Sequence, residues 1–182
     1  MVIGYLRDTS KSLSNFTGFS TRWYAKMFAN RTIMEAIWYT VIIALLATLI
    51  STIVGTITAI GLSKSNRVLK EMVHQVNNLP MLNPEIVTAI GLMLFFTSLN
   101  LSTGFMTMLL AHIAFCIPYV ILSITPRLRR LDPNLADAAL DLGCTPIQAM
   151  WKVIVPQISG GIIAGALVAF SMSFDDFVIS LF

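Results

Sequence analysis

The chain has 182 residues, of which 56% are hydrophobic and only 12% charged, and its mean hydropathy is +0.79. That composition excludes an ordinary soluble domain and points to a bilayer as the solvent. Twelve basic against nine acidic residues give +3, an excess that in a membrane protein reports orientation and not nucleic-acid binding.

Residues 1–35 read as an extracytoplasmic N-terminal segment in which Arg7, Lys11, Arg22, Lys26 and Arg31 face only Asp8 and Glu35. From Ala36 to Ser63 there is no charge, and the run exceeds the roughly 20 residues a helix needs to cross hydrocarbon. Trp23, Tyr24, Trp38 and Tyr39 near its outer end suit an interfacial belt. Lys64 to Glu71 reads as a polar hinge with Lys64, Arg67 and Lys70. Residues 72–99 read as one broken span: Pro80 and Pro84 remove amide donors, and the first half holds His74, Asn77, Asn78, Asn83 and Glu85. An uncharged turn leads to a third span, 105–125, with His112 and Pro118 inside it. A loop over about 127–156 carries Arg127, Arg129, Arg130 and Lys152, and a fourth span fills 157–182.

The fold class expected is therefore an all-α integral membrane protein, a polytopic helical bundle. The two loops that hold cations are cytoplasmic by the positive-inside rule, and the loop between them carries no charge. The basic N-terminal segment opposes that topology, and weighs less where a further span precedes it. The expectation is a fragment of a longer membrane protein. Cys116 falls within a span and Cys144 in the loop, without CxxC spacing or a histidine pair, so neither a metal site nor a disulfide is expected.

The loop 127–156 is too rich in signals for a plain connection. Asp132 and Pro133 read as N-cap and first helical position, and Leu135, Ala138, Ala139 and Leu142 then recur at helical spacing, leaving Asp137 and Asp141 off the stripe. Gly143 ends that helix. Thr145 and Pro146 start another, in which Ile147, Met150, Trp151 and Ile154 repeat the spacing until Pro156 stops it. Two amphipathic helices meeting at a glycine elbow suit either a docking surface or a loop packed on its own bundle or the lipid interface.

Within this loop Asp137, Ala138, Ala139, Gly143, Val153, Val155 and Pro156 resemble the cytoplasmic EAA loop of ABC importer permeases, with Asp for Glu and Val for Ile and Leu. The stretches "GFSTRWY", "LPMLNPEIV", "AHIAFCIPYVI" and "SFDDFVIS" extend the resemblance over nearly the whole chain, toward spermidine/putrescine permease subunits. The resemblance implies a MetI-like permease fold of about six spans, here without the first and last, in a prokaryotic cytoplasmic membrane. It also implies cytoplasmic ABC ATPase subunits that grip the loop, a second permease subunit and an extracytoplasmic substrate-binding protein. The chain has no G-x-x-x-x-G-K-[ST] loop for nucleotide, so ATP hydrolysis is expected in a separate subunit and no cofactor in this one.

Glu85, Asp175 and Asp176 are acids within expected spans, each costing several kcal/mol unless paired or wetted. With His112 they are candidates to line the path of a polycation; the structural reading, in which Glu85 caps a helix restart and the Asp pair fixes a helix end, stays open. Gly161, Gly165, Ala169 and Ser173 form a small-residue stripe for close helix packing against an unspecified partner. An intramembrane enzyme finds no HExxH or GxSxG support, and a secondary transporter finds no internal repeat. The alternatives are an ABC importer permease for another small solute and a secondary transporter independent of an ATPase, which ATP dependence of uptake would tell apart.

Overall fold

A computed structural model of the chain describes residues 28–82, 85–102, 104–132 and 134–176, apart from the side chains of His74, 78–82 and Glu85. The N-terminal cations up to Lys26, Trp23 and Tyr24, and everything beyond Asp176, lie outside the described residues. The chain divides into two compact units, Met1–Ile42 and Ile43–Phe182, with the boundary inside the first helix. The described part of the first unit holds the start of that helix, where Arg31 Nε donates to Glu35 Oε1 at 2.8 Å and Trp38 and Tyr39 are exposed.

All regular structure among the described residues is helical: α1 (Arg31–Ser63), α2 (Arg67–Leu82), α3 (Glu85–Ser98), α4 (Phe105–Arg129), α5 (Leu135–Asp141), α6 (Pro146–Ala149), a π-helical segment Met150–Ile154, and α7 (Val155–Asp175). Among the described residues, three stretches are long and apolar enough to cross a membrane: Arg31–Ser63, Phe105–Arg129 and Pro146–Asp175. Residues 72–99, expected as one broken span, fall in two helices. Its apolar part, Ile86–Ser98, is shorter than a spanning helix, and its polar part belongs to α2, which starts at Arg67 and shrinks the expected hinge to three residues. Asn66 Oδ1 accepts the Leu69 N–H at 3.0 Å, so an N-cap begins α2 where a loop was expected.

The core of the second unit is built around α4. On one side lie Gly161, Gly165, Ala169 and Ser173 of α7, all buried. A Cβ added at Gly161 would stand 3.3 Å from Ile124 Cα, and one at Gly165 would stand 3.3 Å from Val120 Cα. Cys116 Sγ lies 3.5 Å from Ala169 O. The partner of the stripe is thus α4, and α7 runs antiparallel to it. On the other side α1 carries its own four-residue row of buried small side chains, Ala47, Ser51, Gly55 and Ala59. Gly55 meets Val120, while Ile43 and Ala47 pack with Leu109, so α1 and α4 run in the same direction. Small residues on both flanks let the helix backbones approach, which in a bilayer supplies the dispersion contact that lipid-facing leucines do not.

One buried side chain ties α2 into this core. Asn77 Nδ2 donates to Pro118 O at 3.0 Å. Pro118 sits inside α4 without an N–H, so the helix is short of one hydrogen bond there, and the Asn77 amide adds a bond from outside. Asn77→Ala is expected to lower stability by about 0.5–1.5 kcal/mol, read as a lower midpoint of denaturant-induced unfolding of the detergent-solubilised protein; an unchanged midpoint would remove this bond from the fold's energetics.

Candidate functional site

The loop that leaves α4 begins later than expected, because α4 continues through Pro126 to Arg129. Asp132 still acts as a local acceptor: its Oδ1 takes the Asn134 N–H at 2.9 Å just before α5 starts. Helix α5 ends in a Schellman arrangement, with Gly143 N–H on Leu140 O at 2.9 Å and Cys144 N–H on Ala139 O at 3.0 Å. Gly143 has φ +85°, the left-handed conformation in which a Cβ is strained. Thr145 then caps the next helix, its Oγ1 accepting from Gln148 N at 3.3 Å while Gln148 Oε1 accepts from Thr145 N at 3.2 Å.

Two sequence expectations fail here. Pro156 does not stop the second helix, since α6, the π-helical segment and α7 form one unbroken rod from Pro146 to Asp175, and Pro156 lies in the first turn of α7. A π-turn is wider than an α-turn and accommodates the proline ring that would clash with the preceding α-turn. The expected stripe of Leu135, Ala138, Ala139 and Leu142 is not the buried face either. Ala139 is buried and Ala136 packs on the core, whereas Ala138 is exposed and Leu142 is 87% exposed.

The loop consequently has two sides. Its inner side, Leu131, Ala136, Met150, Ile154 and Val155, packs with Ala59, Ile60, Ile124 and Ile158, the same core that joins α1, α4 and α7. A cavity of about 170 Å³ lies between this side and the end of α1, lined by Ile60, Lys64, Ala136, Leu140 and Met150 among others. The outer side presents Leu142, Ile147 at 69% exposure and Trp151 at 57%, beside exposed Asp137, Ala138 and Asp141. Of the residues singled out in sequence, Asp137, Ala138 and Pro156 are exposed, Val153 and Val155 half-buried, and Ala139 buried.

The membrane acids are not gathered into one cluster by any described contact. Glu85 is the first residue of α3, with its side chain outside the description. His112 is buried in α4 and its Nδ1 donates to Met108 O at 2.9 Å, an intrahelical bond. Asp175 is the last residue of α7 and Asp176 its C-cap, with extended backbone. The Asp pair therefore stands at the C-terminal end of α7, and the rest of the expected span to 182 lies outside the described residues. One turn earlier Ser173 is buried, its Oγ without a hydrogen-bond partner. No group of three or more potential metal ligands occurs among the described residues.

Residues 51–182 match the family described as "Binding-protein-dependent transport system inner membrane component". The chain belongs to this family. Its three apolar helices agree with the inner-membrane setting that the family description carries. Among curated proteins, members of this family similar to the chain include the spermidine/putrescine transport system permease protein PotC of Haemophilus influenzae, 38% identical over 92% of this chain and 65% of the relative. The putrescine transport system permease protein PotI of Escherichia coli K12 is 34% identical over 100% of this chain and 67% of the relative. PotC of Escherichia coli K12 is 32% identical over 96% of this chain and 66% of the relative. The chain thus spans about two thirds of the length of these family members.

Proposed function

We propose that this chain is the membrane-embedded permease subunit of an ATP-binding-cassette importer, that its loop 127–156 is the surface gripped by a separate cytoplasmic ATPase subunit, and that the solute is a polyamine. The observation that carries the reading is the two-sided loop. Leu142, Ile147 and Trp151 stand outward on an otherwise polar elbow, which is the mark of a protein interface. The inner side of the same loop belongs to the core shared by the spanning helices, so that force applied at the outer side reaches them. The family description supplies a binding protein as a further partner, and the reading adds a second permease subunit.

Polyamine as substrate rests on the names of the relatives and on the acids. Two adjacent carboxylates at the C-terminus of α7 oppose the partial negative charge of the helix end, at roughly 0.3–1 kcal/mol each. A multivalent cation relieves that repulsion, and the reading assigns Asp175 and Asp176, with Glu85 and His112, to the path such a cation follows.

Vesicles carrying the intact gene product with its sister permease, ATPase and binding protein are expected to take up labelled spermidine only with ATP. Asp175→Asn with Asp176→Asn is expected to lower that uptake about tenfold while the ATPase still co-purifies. Unchanged uptake would take the acid pair out of the path. No polyamine uptake with the ATPase bound would keep the importer and discard the substrate.

A further inference from the structure

Ile147, Met150, Trp151 and Ile154 recur at helical spacing, yet the structure splits them between two faces. Ile154 is buried and Met150 packs on the core beside it, whereas Ile147 and Trp151 stand outward. An unbroken α-helix read back from the fully buried Ile158, at about 100° per residue, would place Ile154, Trp151 and Ile147 all within about 40° of the Ile158 direction. Met150 would stand about 80° from it, and Ala149 on the opposite side. Ala149 is nevertheless buried, at 3% exposure.

The π-turn accounts for the difference. Val155 N–H donates to Met150 O, five residues back, where an α-helix would bond four back. A turn that takes one more residue to close sets every upstream position back by one residue's rotation, about 100°. Counted so, Met150 comes within about 20° of the Ile158 direction, while Ile147 and Trp151 move to about 80° and 120° from it. Ala149, Met150 and Ile154 accordingly line the cavity against the end of α1. Pro156 gives the turn its cause: it has no N–H for Lys152 O, and in an α-turn its ring would collide with that carbonyl.

We infer that Pro156 is a positioning residue: by holding the π-turn it sets the rotational register of the elbow on α7, and so brings Ile147 and Trp151 outward as the apolar contact for a partner protein. Without the proline an α-turn regains its hydrogen bond, and Ile147, Trp151, Ile154 and Ile158 close into one inward stripe. The partner then meets a surface from which both large apolar side chains have turned. The consequence for transport rests on the proposed gripping of this loop by an ATPase subunit; the register itself does not.

The register is read by labelling single cysteines with a water-soluble maleimide, on the intact gene product in detergent with its sister permease and without the ATPase. Cys144→Ser supplies the background, since Cys116 is buried. In that background Trp151→Cys is expected to label about tenfold faster than Met150→Cys, and Pro156→Ala to reverse the order. Lys152 is exposed, and deleting it from the Pro156→Ala variant removes the one residue that the π-turn absorbs. An α-turn then points Met150 inward again, and the parent's labelling order is expected to return. A general loss of stability speeds labelling at both sites and does not exchange them. An order unchanged by Pro156→Ala would mean that packing holds the π-turn, and would overturn the inference. A deletion that fails to restore the order would overturn it too, also where Pro156→Ala alone does not fold. In the assembled transporter Pro156→Ala is expected to lower ATP-driven uptake about tenfold. Exchanged labelling rates with unchanged uptake would keep the register and remove the loop as the gripped surface.

Discussion

On the proposed function, Gly143→Val lowers ATP-driven uptake about five- to thirtyfold, whereas Gly143→Asn stays within about threefold of the parent. Both substitutions add a Cβ that meets no atom within 4 Å, so neither acts by collision. They differ in backbone cost. At φ +85° a β-branched residue is a strong outlier, while asparagine tolerates the left-handed region. Valine therefore forces the elbow to open, breaks the paired bonds of Gly143 and Cys144 to Leu140 and Ala139, and turns Leu142 away from Ile147 and Trp151. Co-purification of the ATPase subunit should fall with uptake. If valine and asparagine behave alike, the elbow's conformation does not matter to coupling.

Gly55→Ala is expected to destabilise the bundle by about 1–3 kcal/mol, and Val120→Ala to remove most of that penalty. A Cβ at Gly55 would stand 2.7 Å from Val120 Cγ1 and 2.9 Å from Val120 Cβ, and valine has no flexible end to swing aside. Val120 is fully buried and held from the opposite flank by Gly165, so it cannot retreat. Val120→Ala alone loses contact and costs about 1 kcal/mol. The double variant should unfold close to the midpoint of Val120→Ala alone, giving a coupling energy of about 1–3 kcal/mol. Additive losses would mean that α1 and α4 do not meet at this pair.

Much of this arrangement is legible in the sequence, because membrane helices announce themselves by charge-free length and by small residues at fixed spacing. The run from Ala36, the stripe Gly161, Gly165, Ala169 and Ser173, the Thr145-Pro146 start and the break at Gly143 all rest on local chemistry. The matching row of Ala47, Ser51, Gly55 and Ala59 obeys the same spacing and was there to be read; the uniformly apolar surroundings hid it. Other features needed the partner helix. Asn77 looks like any polar residue of a broken span until Pro118 O is placed beside it. The inner face of α5 is set by Ala136 and Ala139, the small residues that can approach the core, and the larger Leu142 turns outward, opposite to what hydrophobicity alone suggests. Pro156 reads as a stop only if the preceding turn is α-helical, and periodicity does not announce a π-turn.

The absence of a break at Pro156 has a mechanical meaning. Thirty residues from Pro146 to Asp175 form a single stiff member about 45 Å long. Its near end carries Ile147 and Trp151 and its far end the two aspartates. On the proposed function, a tilt of such a rod by about 10° about its midpoint would displace its two ends by about 4 Å in opposite directions. On that same function, work done on the elbow would arrive at the opposite end of this rod as motion of the acid pair, in one step and without a joint in which it could be dissipated.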